Sequence, residues 1–127
     1  MVKTLLVEQD ISDGESLIKA IEETGFQIKA ALWYYFPESE TWRLIIASPE
    51  YDRKGSKEVY SIIHSILLEV QPPIGLDITD ISVVSPNKDI IKVLTDIFGG
   101  GKDVWRMRLG HQVIGNIYID DAILYRV

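Results

Sequence analysis

The chain has 127 residues, 46% hydrophobic and 25% charged, a composition that excludes disorder and gives enough apolar material for a core. The net charge is −6 and the sequence pI about 4.8, against the basic balance that nucleic-acid binding usually needs. With no cysteine there is no disulfide, no thiolate metal site and no cysteine nucleophile, and the two histidines, His64 and His111, cannot build a histidine-rich metal centre alone.

No apolar run approaches the length of a membrane span, and "MVKTLLVEQD" turns acidic before a signal-peptide core can form. These features predict a cytoplasmic protein with no membrane partner, no cofactor and no metal. The absence of linkers and low-complexity tracts predicts one domain over residues 1–127.

In chain order, "DISDGESLIKAIEETG" predicts the first helix. Ile11, Leu17, Ile18 and Ile21 recur at helical spacing, Ser12 and Glu15 suit a capping box (or Asp10, or an earlier residue, the cap), and Gly25 suits the stop. "QIKAALWYYF", "PESE" and "TWRLIIAS" then read as a hairpin. Ile28, Ala30, Leu32, Tyr34 and Phe36 line one face of its first strand, and Ala31, Trp33 and Tyr35 the other. The second strand sets Trp42, Leu44 and Ile46 against Arg43, Ile45 and Ala47. Strands apolar on both sides belong inside a sheet covered on both faces, by helices or by a partner chain.

After Ser48-Pro49 a loop leads to a helix in "SKEVYSIIHSILLEV", with Val59, Ile63, Ile66, Leu67 and Val70 as its stripe and Pro72-Pro73 as its end. "DISVVS" predicts a strand. Ser85-Pro86 opens a third helix, "NKDIIKVLTDIF", with Pro86 in its first turn and Ile90, Ile91, Leu94, Ile97 and Phe98 on its apolar face. The tripled glycine and Lys102 that follow resemble a phosphate loop only in composition. They come after a helix, lead into a strand and lack the G-x-x-x-x-G-K-[ST] spacing, so Gly99 is expected to cap the helix with a left-handed backbone.

The chain closes with "VWRMRLG", a turn and "NIYIDDAILYRV", a second predicted hairpin. Trp105, Met107 and Leu109 face away from Arg106 and Arg108, while Ile117, Ile119, Ile123, Tyr125 and Val127 share a face with Asp121. The predicted fold is α+β, a mixed α/β sandwich of about five strands in a mixed sheet with three helices, ordered α-β-β-α-β-α-β-β.

Three groups of residues could carry function. "RLIIASP" and "ISVVSP" each end a strand with Ser-Pro and pass to a helix. A right-handed crossover makes these strands parallel and brings Ser48 and Ser85 to the same sheet edge, where α/β proteins hold anions; otherwise both serines merely cap local turns. Arg106 and Arg108, with Arg43 and Arg126, could add a basic patch, unless Asp120 pairs with them across strands.

Asp121 interrupts an apolar alternation. It is a buried, paired carboxylate, a candidate general base or metal ligand, the mark of a bulge, or an inward charge that guards a sheet edge; Asp120 points to the opposite face and cannot act on the same ligand unless a bulge re-aims one of them. Trp33, Tyr35 and Trp42 are aromatic surface for a subunit interface, or ordinary core. "KGSKEVY…LDITD" lacks the carboxylate spacing of nucleotidyltransferases, and "DISDG" lacks the later glutamate of an EF-hand loop. The sequence therefore predicts a small non-enzymatic protein working through contact with another protein or as a homodimer. The alternative is a binder of, or enzyme acting on, a phosphate or carboxylate compound at the Ser48 and Ser85 loops.

Overall fold

A computed structural model describes residues 3–100 and 103–127. The fold is α+β, a five-stranded mixed sheet with four helices. In chain order these are α1 (Glu8–Glu23), β1 (Ala30–Phe36), β2 (Thr41–Ala47), α2 (Pro49–Lys54), α3 (Ser56–Glu69), β3 (Ile81–Val84), α4 (Asp89–Phe98), β4 (Arg108–Ile114) and β5 (Ile117–Arg126). The sheet order is β3-β2-β1-β5-β4, with only the β2–β3 pair parallel, as the crossover through α3 requires. No helix among the described residues is long and apolar enough to cross a membrane.

The two-sided strands are covered on both faces by the chain's own elements. Leu17, Ile18 and Ile21 of α1 and Val59 and Ile63 of α3 pack on Ala31, Trp33, Leu44, Ile46, Ile81 and Val83. On the other face Ile90, Ile91 and Leu94 of α4 meet Ala30, Leu32, Ile45, Ala122 and Leu124. Three helix spacings legible as period 3.6 thus meet strands legible as period 2.

Several local expectations are corrected. Of the expected caps for α1 the earlier residue holds, not Ser12: the helix starts at Glu8 behind Val7, whose N–H donates to Asp10 Oδ2 at 3.0 Å. The residues after Ser48-Pro49 form α2, with the Ser48 hydroxyl accepting from Glu50 N. Ser85, Pro86 and Asn87 make a turn, and α4 begins only at Asp89. Gly99 is extended, not left-handed. It is glycine for space, since a Cβ would sit 2.5 Å from Thr95 O, and Gly100 takes the positive φ of 77°. Lys102 lies outside the described residues.

The second hairpin also departs from expectation. Val104 to Met107 form a turn closed by Met107 N–H to Val104 O at 2.9 Å, so β4 starts later and the hairpin turn falls at Gly115-Asn116. Leu109 and Ile114 are both buried toward α4, although strict alternation would put them on opposite sides. The same switch occurs in β5, where Ile119 and Ala122 share the α4 side while Ile123 and Tyr125 join the α1–α3 side. His111, with φ of 50°, and Asp120 sit where the ladder between the strands is interrupted. Ile117 and Ile119 therefore do not share a face with Ile123 and Tyr125.

The outer edge of β3 is closed by side chains. The Ile81 N–H bonds to Ile78 O, Arg43 Nη2 donates to Ile81 O at 2.8 Å, and the Val83 N–H donates to Tyr60 Oη at 2.8 Å. These three backbone groups of the short edge strand are thereby withheld from another strand.

Candidate functional site

Both Ser-Pro junctions stand at the carboxyl end of the β2–β3 pair, and the Ser48 N–H bonds Val84 O at 3.0 Å. The two loops converge, but each hydroxyl is engaged by its own chain. Ser48 is fully buried, donates its hydroxyl to Gln27 O and accepts from Glu50 N at 3.1 Å. Ser85 Oγ donates to Asp52 Oδ2 and accepts from Asn87 N, at 3.0 and 3.1 Å. Beside them lies an open hollow of about 440 Å³ lined by Glu22, Gln27, Ile28, Lys29, Pro49 and Pro86.

Arg106 and Arg108 are not brought to this edge. Strands β1 and β5 lie between β2 and β4, a separation of roughly 14 Å at ordinary strand spacing. The anion that the arginines hold is α1. Arg106, in a left-handed turn position with φ of 61°, donates Nε to Glu15 and Nη1 to Glu8, both at 2.5 Å. Arg126 makes a two-pronged pair with Glu22, and Lys3 binds Asp10 at 3.0 Å. Helix α1 carries Glu8, Asp10, Asp13, Glu15, Glu22 and Glu23 against one lysine, Lys19, so most of the net charge of −6 sits on it and much of that is neutralised from within. Arg43 is spent on the β3 edge, with Nε on Ser82 Oγ and Nη1 on Thr79 O.

These clamps should leave a signature in acid. The Arg126 hydrogen bond holds the Glu22 carboxyl below the usual carboxylate range. A lowered native pKa stabilises the fold above the unfolded glutamate value, and that stabilisation is lost as pH falls through the native value. Glu22→Gln should therefore lower stability at neutral pH, with the difference from the native chain vanishing in acid, as read by urea midpoints from pH 7 down to about 3. A difference that persisted at the acid end would sink this account.

Asp121 receives both prongs of Arg108, Nε to Oδ1 at 3.0 Å and Nη2 to Oδ2 at 2.6 Å. The expected partner choice is corrected here: Asp121 takes Arg108, while Asp120 points to the α4 side and adds to the field that, after burial, raises the Tyr34 pKa. Buried carboxylates elsewhere are held structurally. Asp13 accepts from Gln9 Nε2 and Gly75 N, Asp80 from Asp77 N, and Glu50 pairs with Arg53. Among the described residues no group of three or more His, Asp or Glu is placed to share a metal ion.

The three aromatic residues expected at an interface have little surface to offer. Trp33 is fully buried under α1 and donates Nε1–H to Tyr125 Oη at 2.8 Å. Trp42 is buried, and half-buried Tyr35 packs against it across the strands with ring centres 5.5 Å apart. Of the two covers expected for these strands, helices or a partner chain, the chain's own helices take both faces.

Exposed apolar surface lies elsewhere. Val113 and Tyr118 face each other across β4 and β5 and are 64% and 54% exposed, with Tyr118 Oη 3.4 Å from His111 Nδ1. They lie on the sheet face that bears α1 and α3 further along, beyond the reach of either helix, because Ile114, Ile117 and Ile119 take the opposite side. The Arg108–Asp121 pair lies further along the hairpin, past the interruption at His111 and Asp120. Sequence reading missed this patch by misplacing the turn; Gly115-Asn116 between "QVI" and "IYI" is a two-residue hairpin signal that locates it. No known protein family, characterised protein or solved structure matches the chain.

Proposed function

We propose that this protein works by contact, docking another protein on the outer face of the β4–β5 hairpin at His111, Val113 and Tyr118. One observation carries the reading. His111 holds a left-handed backbone that a non-glycine residue adopts at a cost of about 1 kcal/mol or more. The break in alternation there places Val113 outward, where the side occupied by Leu109 would have taken it inward. Strain that exposes an apolar cross-strand pair is what a binding surface uses and what a self-contained sheet avoids.

The alternative, an anion held by the Ser48 and Ser85 loops, draws less support because both hydroxyls are engaged and α2 is a short six-residue helix. Photocrosslinking residues placed singly at Val113, Tyr118 and, as a control, exposed Lys57 test the docking face in the cells that make the protein. Discrete adducts from positions 113 and 118, and none from 57, are expected. No adduct from the hairpin, or equal adducts from all three, overturns the reading.

A further inference from the structure

We draw no further inference here: the strongest candidate, the hollow of about 480 Å³ between α1 and the half-exposed Trp105, carries nothing, because Glu15 and Glu22 in its lining are already paired with Arg106 and Arg126 and nothing in the structure shows what covers the ring.

Discussion

Replacing Trp33 by alanine should cost about 3–5 kcal/mol of stability, a large share of the roughly 5–15 kcal/mol that holds a domain together. The ring is the largest fully buried side chain in the protein and lies where α1 crosses the sheet. Its removal leaves a void under Leu17 and Ile21 and strips Tyr125 Oη of its donor. Urea unfolding followed by circular dichroism measures the loss. A variant that stayed within about 1 kcal/mol of the native chain but changed its solution mass would mean that the ring serves another subunit after all.

Gly14→Ala should be destabilising by about 2 kcal/mol or more, although alanine in place of glycine inside a helix ordinarily gains close to 1 kcal/mol. The helix carries Gly14 directly over the Trp33–Tyr125 hydrogen bond. A Cβ there would press into Tyr125 Oη and come within 3.0 Å of Trp33 Nε1. Tyr125 cannot yield easily, since its hydroxyl is fixed from both sides: it accepts from Trp33 and donates to Ile11 O at 2.6 Å. Burial, as the leading cause, pushes the Tyr125 pKa up, so the hydroxyl stays neutral and donating at any ordinary pH.

The check is a double-mutant cycle on urea midpoints. Tyr125→Phe alone should cost about 1–3 kcal/mol by leaving the buried Trp33 Nε1–H without its acceptor. Gly14→Ala should be better tolerated in that background than in the native one, because the clashing oxygen is gone. Strict additivity, or a stabilised Gly14→Ala, would show that α1 stands off the sheet further than the geometry has it.

What the sequence disclosed follows from the range of the interactions. Helices α1 and α3 and the β1–β2 hairpin write themselves in local periodicity, since Leu17, Ile18 and Ile21, or Trp42, Leu44 and Ile46, must share a face. The parallel β2–β3 pair needed only a handedness rule. The β4–β5 hairpin was obscured because "VWRMRLG" alternates well enough to pass for a strand, while positive φ at Arg106 and His111, neither a glycine, bends the backbone there. The roles of the arginines were not legible at all. Arg106 meets Glu8 98 residues away and Arg126 meets Glu22 104 away, and no local pattern announces such partners. For Ser48 and Ser85 the shared edge was foreseen, but their engagement by Gln27 and Asp52 depends on tertiary approach.

The sealed border at β3 has a consequence for how large any assembly can grow. A sheet lengthens into a filament only when each new subunit offers a fresh edge for the next. Tyr60 and Arg43 already occupy that edge on one side, and on the other the kink at His111 keeps β4 from presenting a long straight ladder. Growth by strand addition is stopped at both ends. A concentrated solution of the chain should therefore stay clear, as read by turbidity, where an open-edged sheet would gel.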